Sequence, residues 1–433
     1  GLTIGDDPDE ARTRALSAAF GVVTPPLLAF LGVRLLGPLG MVAGLLLAIS
    51  PLHLWHSQEA RMYTLVCLLG VFLAWGTVAC RRGVQALLPA LVACQAALLW
   101  THHFSLFAIA ASWVIVFTGH RVSVRRAVMC ILLVAAMWLP AAWLLSRQVL
   151  VFRTGTWLAP PSLDVPLRSV GLWLAGVQGA DHSRVAGIPL AIILVACAAI
   201  PMAVHGLRDS TGRVLAVLCG GTLAAAWAVS RAVPALVPGR YDVVLLPSFL
   251  LVLAAGWSRL NRAGRVVTLA ALTAGSTLGI LHYHGEYQKS SVRELVALVR
   301  TLERTGDVVV VVPEVEAPVV RYYYRGERPV LVPPSFGLVD RVDYADYGAR
   351  WSSDAEAREL ADHCWESTPA GGRILLLYSP YRATAHFKGW LMRAASYTRV
   401  ARRVSGSGSV ELAILERASP AIPTELLNAR PSL

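Results

Sequence analysis

Ser50-Pro51-Leu52-His53-Leu54-Trp55-His56-Ser57-Gln58-Glu59-Ala60-Arg61-Met62-Tyr63 lies between two apolar runs, residues 41–49 and 64–79, neither of which carries a charge. Two histidines, an amide, a carboxylate and a guanidinium are packed into this short interval. Ionisable residues concentrated at the end of a membrane helix usually mark a site. The same stretch also reads as a polar loop between helices, with Trp55 and Tyr63 in the interfacial aromatic belt. Both readings put it between two membrane-crossing segments.

The whole chain agrees with that setting. It has 433 residues, of which 55% are hydrophobic and 15% charged, and a mean hydropathy of +0.56. These values indicate a polytopic α-helical membrane protein. Apolar runs fall near 19–33, 38–52, 63–79, 84–101, 104–119, 127–145, 186–204, 213–231, 243–258 and 266–282, which predicts about ten spans. Several are shorter than the ~20 residues that cross a hydrocarbon core. The net charge of +12 is carried by arginine in short loops, with lysine only at Lys289 and Lys388. No basic face interleaved with aromatics is present, so nucleic acid is excluded as a partner.

Arginine placement sets the expected orientation. Arg34, Arg81, Arg82, Arg121, Arg125, Arg126, Arg208, Arg213, Arg259, Arg262 and Arg265 fall in one alternating set of loops. The positive-inside rule makes that set cytoplasmic. The loops at 53–62, 102–103, 146–185 and 232–242 then face outward, as do both ends of the chain. Within the long 146–185 loop, residues 162–178 have helical apolar spacing, with Trp173 among them and Arg168 on the polar side. That pattern predicts an amphipathic helix in the membrane interface.

From Tyr283 onward the charge frequency rises to that of a soluble domain. Helices are expected over 292–302, 316–324, 354–365 and 387–395. Strands are expected over 307–312, 329–332 and 373–378, and 400–404 and 410–415 flank a Ser-Gly-Ser-Gly-Ser turn. Helices alternating with buried strands make a small α/β layer domain. The expected organisation is an outer-face lead-in over 1–18, a transmembrane domain over 19–282, an extracytoplasmic α/β domain over 283–416, and a disordered Pro/Ala-rich tail over 417–433. No Gly-x-Gly-x-x-Gly or phosphate loop occurs. Six of the seven cysteines lie in or beside apolar spans, Cys364 is the exception, and no Cys-x-x-Cys suggests a disulfide framework or zinc knuckle.

Several outward-facing features could carry chemistry. Glu59 and Arg61 are two residues apart and do not share a helix face, so they can contact different partners, such as an acceptor hydroxyl and a phosphate. His102-His103 can bind a metal or a phosphate, or cap a helix C-terminus. Arg240 in Arg240-Tyr241-Asp242 suits a phosphate, because a guanidinium fork donates two hydrogen bonds. Trp55, Trp157 and Trp173 read as interfacial anchors or as stacking platforms for sugar rings.

Ser50-Pro51 through Ser57-Gln58-Glu59-Ala60-Arg61-Met62-Tyr63 resembles the signature of bacterial GT-C membrane glycosyltransferases, the protein-mannosyltransferase-like and aminoarabinose-transferase-like enzymes. Arg14-Ala15-Leu16-Ser17-Ala18-Ala19-Phe20-Gly21 resembles the lead-in to the family's second helix. Thr101-His102-His103-Phe104 resembles its Thr-His-Tyr-Phe turn. Arg240-Tyr241 with Leu246-Pro247 resembles its late Arg-Tyr turn, and residues 307–313 resemble the first strand of its extracytoplasmic domain. The resemblance covers nearly the whole chain. It implies inverting transfer of a sugar from a polyprenyl-phosphate donor to a lipid, cell-wall glycan or protein acceptor at the outer membrane face. Under it Glu59 is the acid/base or positions the acceptor, and Gln58, Arg61, Tyr63, His102, His103, Arg240 and Tyr241 bind substrate. It implies no certain cofactor and leaves a divalent metal open. It also implies that the family's first helix and its first outer loop, which carries a catalytic acid, are missing ahead of Gly1. Two other classes compete. A secondary transporter would show Gly/Pro-broken spans at matching places in two repeated halves, and no such repeat occurs. A non-catalytic scaffold binding polyprenyl lipid would keep the arginines.

Overall fold

A computed structural model describes residues 10–152, 160–176, 187–232, 236–285, 292–334, 353–379, 385–393, 395–405 and 408–417. The chain divides into two compact units, one containing residues 9–149 and 157–286 and the other containing 287–433. Trp157 and residues 418–433 of the tail expected over 417–433 lie outside the described residues, as do residues 1–9 of the lead-in, while Arg417 ends a strand rather than starting a tail.

The first unit is helical. Its elements are α1 (Glu10–Leu36), α2 (Val42–Ala48), α3 (Pro51–Ser57), α4 (Tyr63–Arg81), α5 (Leu88–Thr101), α6 (Ser105–Thr118), α7 (Val124–Phe152), α8 (Val165–Ala175), α9 (Gly187–Gly206), α10 (Ser210–Ser230), α11 (Leu246–Trp257) and α12 (Arg262–Gly285). The apolar runs become helices because, in a low-dielectric medium, a helix satisfies its own backbone polar groups. α4 and α11 form the interior: thirteen of the 19 residues of α4 are buried. α7 instead turns Met129, Leu132, Leu133, Leu139 and Trp143 outward.

Five described helices are long and apolar enough to cross a membrane: α1, α4, α10 and the stretches Val124–Ser146 and Arg262–Leu281. A sixth span arises if Pro38–Ala48 and Pro51–Ser57 count together, and these meet at a 60° bend. The expected continuous helix over 38–52 is therefore broken. Ser50 has extended backbone and its hydroxyl accepts the His53 N–H, while Pro51 occupies the first turn, so a new helix starts there. Gln85–Thr101, Ser105–Thr118, Ile193–Gly206 and Tyr241–Trp257 are apolar but shorter. The count of ten is not reached on length alone.

The start of α3 is gripped by backbone. A Cβ on Gly176 would sit 2.5 Å from Pro51 Cβ, and one on Gly279 would sit 2.9 Å from Pro51 Cγ. Gly176 also takes a left-handed conformation, φ +64°, to end α8. At the far end of α3, a Cβ on Gly21 would sit 2.2 Å from Ser57 Oγ.

The amphipathic segment forms as α8, with Arg168 on its exposed side paired to Asp164. Trp173 does not serve as an interfacial anchor or sugar platform. It is only 1% exposed and packs on Phe249 of α11, ring centroids 5.3 Å apart. The helical spacing was right, but α8 packs its apolar face on the bundle itself.

The second unit is a five-stranded sheet in the order β2-β1-β3-β5-β4. The strands are β1 (Val308–Val312), β2 (Val330–Leu331), β3 (Arg373–Tyr378), β4 (Ala395–Ser405) and β5 (Gly408–Arg417). β1 runs parallel to β2 and β3, and β5 pairs antiparallel with β3 and β4. The helices are α13 (Val292–Leu302), α14 (Ala317–Tyr323), α15 (Asp354–Glu366) and α16 (Ala385–Arg393). Val309, Val311, Leu375 and Leu377 pack in one core with Leu295, Val299 and Val320. Val308, Val310, Ile374 and Leu376 pack in the other with Ala361, Trp365, Phe387 and Leu391. Burial on both faces explains why β1 is an unbroken run of valines rather than an alternating pattern.

Asp307 and Arg373, just before β1 and at the start of β3, lock these two strands. The Asp307 carboxylate accepts from Arg373 Nη2 at 2.7 Å and Nε at 3.2 Å. It also accepts the backbone N–H of Arg373 at 3.1 Å and of Arg304 at 2.8 Å. Desolvation alone would raise its pKa, but the bonds from Arg373 and the two amides outweigh it and hold the carboxyl below its ordinary value.

Candidate functional site

The 50–63 stretch folds as α3, a turn over 58–62, and the first residue of α4. The turn closes on α3, with the Gln58 N–H donating to Trp55 O and the Glu59 N–H to His56 O, each at 3.2 Å. α1 steadies it, because Ser17 Oγ donates to Arg61 O at 2.9 Å. His53 is buried and its Nε2 lies 3.0 Å from Gly21 O of α1.

His56 joins this turn to a second one, 183 residues away. Its Nε2 lies 2.7 Å from Gly239 O. A carbonyl can only accept, so Nε2 carries the proton and Nδ1 is left facing Glu59 Oε2 at 3.6 Å. Gly239 takes a left-handed conformation, φ +71°, open to glycine without strain. The next residue, Arg240, places its guanidinium carbon 5.6 Å from the Trp55 ring centroid, within cation–π range. A 3₁₀ turn over Tyr241–Leu245 then leads into α11. That turn lies hard against α4: a Cβ on Gly70 would sit 2.4 Å from Val244 O.

A chain of rings lines the same end of the bundle. Trp55 and His56 have centroids 4.8 Å apart, His56 and Tyr63 4.6 Å, Tyr63 and His102 6.2 Å, and His102 and Tyr241 4.6 Å. Phe104 sits beside both His102 and Tyr241. The charges of Arg61 and Arg240 both act on the hydroxyls of Tyr63 and Tyr241. Among the described residues neither arginine pairs with a carboxylate. Gln58 Oε1 accepts from Tyr283 Oη at 2.8 Å, which ties the turn to the end of α12.

The two adjacent histidines separate. His102 Nδ1 accepts the Phe104 N–H at 3.3 Å, and burial, with His103 nearby, pushes the His102 pKa down to about 4. Its imidazole is therefore neutral at pH 7 and carries its proton on Nε2. His103 turns toward Trp138 of α7, centroids 6.1 Å apart, and adds no ring to the Tyr63–His102–Tyr241 series. Consecutive residues leaving a helix diverge, which the dipeptide alone does not reveal.

Gln58, Glu59, Arg61, Tyr63, His102, Arg240 and Tyr241 thus come together, and His103 lies aside. Sequence reasoning assigned no role to His56, Gly239, Phe104 or Tyr283. His56 and Phe104 lay inside motifs already singled out; Tyr283 and Gly239 gave no local signal. Asp242 follows Tyr241 yet points inward, fully buried, toward Ser169 and Trp173 of α8. It is not the partner of Arg240. No three His, Cys, Asp or Glu side chains among the described residues form a group able to hold a metal.

No protein-family model and no curated protein matches the sequence. Solved structures do. The crystal structure of ArnT from Cupriavidus metallidurans in the apo state has a TM-score of 0.57 at 12% identity, covering 92% of this chain and 83% of that one. The same protein bound to undecaprenyl phosphate has a TM-score of 0.53 at 11% identity, covering 93% and 83%. The chain has the GT-C fold. The motif resemblance and the architecture therefore agree, and at this identity the agreement rests on arrangement rather than on conserved side chains. In this GT-C bundle, the turn at 58–62, the His102 turn and the Gly239-Arg240 turn form one end of the helical unit.

Proposed function

We propose that this chain is a membrane glycosyltransferase that takes a sugar from a polyprenyl-phosphate donor, with inversion, and passes it to a lipid, glycan or protein acceptor. One observation carries the reading: Arg61 and Arg240, neither paired with a carboxylate among the described residues, share one end of an apolar helical bundle with a continuous set of aromatic rings. A polyprenyl phosphate has the matching parts, an anionic head and an apolar tail. The undecaprenyl phosphate bound by ArnT, a protein of the same fold, supports this donor class. Arg240 and Arg61 neutralise the phosphate. His102 donates through Nε2–H. Gln58, Tyr63 and Tyr241 supply polar contacts and ring faces for the sugar. Glu59 takes the acceptor proton or positions the acceptor. The arginine-poor loops, and with them this end of the bundle and the α/β domain, face away from the cytoplasm under the positive-inside rule.

The test uses full-length protein reconstituted with polyprenyl-phosphate sugars and candidate acceptors. Glu59→Gln should lower transfer by about 100-fold, the low end for general acid–base catalysis, while polyprenyl-phosphate retention stays unchanged. Undiminished transfer would remove Glu59 from the chemistry. One observation favours the rival scaffold reading: Glu59 faces His56 rather than open space. Retention of polyprenyl phosphate with no transfer to any acceptor would establish that reading.

A further inference from the structure

At the opposite end of α4, 19 residues and about 28 Å from Tyr63, a second basic site is built. Arg81, Arg82 and Arg213 line a cavity of about 420 Å³ together with Thr118, Ser210 and Thr211. Arg81 donates to Ile115 O and Thr118 Oγ1, Arg82 donates to Thr211 Oγ1, and Arg213 donates to the carbonyls of Leu207 and Arg208 at 3.4 Å. These bonds use only part of each five-donor fork. Among the described residues, none of the three arginines pairs with a carboxylate. The nearest acid in sequence, Asp209, caps α10 through the N–H groups of Thr211 and Gly212 and pairs with Arg259 at 3.1 Å.

One further feature selects a ligand. The remaining wall is apolar, formed by Val78, Ile115, Val214 and Val217, and Val217 is 57% exposed on the outer surface of the bundle. A cationic pocket continuous with an apolar outer face fits a phosphate that carries acyl chains.

We propose that the Arg81–Arg82–Arg213 cavity binds the phosphate of an anionic phospholipid headgroup, with the acyl chains running along Val214 and Val217. The site is separate from the proposed catalytic end and does not depend on that end's function.

The full-length protein in detergent, analysed by native mass spectrometry with phosphatidylglycerol, phosphatidylcholine or inorganic phosphate added, tests this. Wild type should retain phosphatidylglycerol in preference to phosphatidylcholine. Arg82→Ala and Arg213→Ala should each weaken retention about fivefold, the loss expected for one basic residue at an anionic lipid. Arg125→Ala, at an exposed arginine outside the cavity, should leave it unchanged. Equal loss in all three variants would reduce the effect to general surface charge and overturn the proposal. So would equal retention of the two lipids, or thermal stabilisation by inorganic phosphate without retention of phosphatidylglycerol. A folding defect in the alanine variants is separated by Arg82→Lys/Arg213→Lys, which keeps the charge and should restore retention.

Discussion

Two arginine-bearing turns, one in each unit, are built in opposite ways. In the α/β unit, Arg373 meets Asp307, and the carboxylate is saturated by two guanidinium and two amide bonds. In the helical unit, Arg240 follows a glycine turn and lies over the Trp55 ring and Arg61 lies in the 58–62 turn, with no carboxylate paired to either among the described residues. A buried ion with every partner supplied from within the fold has a structural task. Cations held in place but left without a counter-charge are arranged for an anion that comes from outside. The lesson is that satisfaction, rather than residue type, separates the two.

The largest expected effect breaks the saturated pair. Asp307→Asn should destabilise the α/β unit by about 3–5 kcal/mol, since it strands Arg373 in a buried position. Hydrogen exchange at the β1 and β3 amides of the full-length protein reads this directly. A loss below about 1 kcal/mol would mean that the pair is no more structural than a surface bridge. Next comes the unsaturated cation: Arg240→Ala should weaken polyprenyl-phosphate retention by about 30-fold, with β1 and β3 protection unchanged. If the lipid is retained equally well, the contrast between the two arginines collapses.

Acid sharpens the comparison with a smaller effect. The Asp307 carboxyl is held below its ordinary value in the folded chain. Its contribution is therefore complete above the unfolded carboxyl pKa of about 3.9 and is lost as pH falls through the lower folded value. Protection of β1 and β3 should be flat from pH 7 to 5 and should fall below about pH 4 in wild type, with that component absent in Asp307→Asn. The smallest effect belongs to the turn support: Tyr283→Phe removes one hydrogen bond to Gln58 and should cost about 1 kcal/mol of local stability. It should alter transfer through turn position without changing lipid retention, and a fall in retention matching Arg240→Ala would make Tyr283 a ligand contact instead.

Much of the architecture was readable from local pattern. The all-valine run of β1 and the six residues of β3 were identifiable as strands because residues buried on both faces leave no polar alternation. The helix starting at Ser50-Pro51, with its capping hydroxyl and first-turn proline, was not read as a separate element, because the 60° break it imposes lies inside a continuous apolar run. For the site, sequence picked out Gln58, Glu59, Arg61, Tyr63, His102, Arg240 and Tyr241, because polar side chains between apolar runs stand out. It also grouped His103 with His102 and treated Trp173 as a membrane anchor, which the fold does not.

By itself, then, the sequence determined which segments are apolar enough to be helices in a membrane and which turns concentrate charge. These are properties of hydropathy and local propensity over a few residues. Only the tertiary structure decided that His56 reaches Gly239, that Gln58 meets Tyr283, that Arg373 completes Asp307, and that Asp242 turns away from Arg240. Those pairings span 66 to 225 residues or depend on the direction a side chain leaves a turn. Neither property is encoded in neighbouring positions, and both are fixed only when helices close-pack through glycines such as Gly21, Gly70 and Gly279.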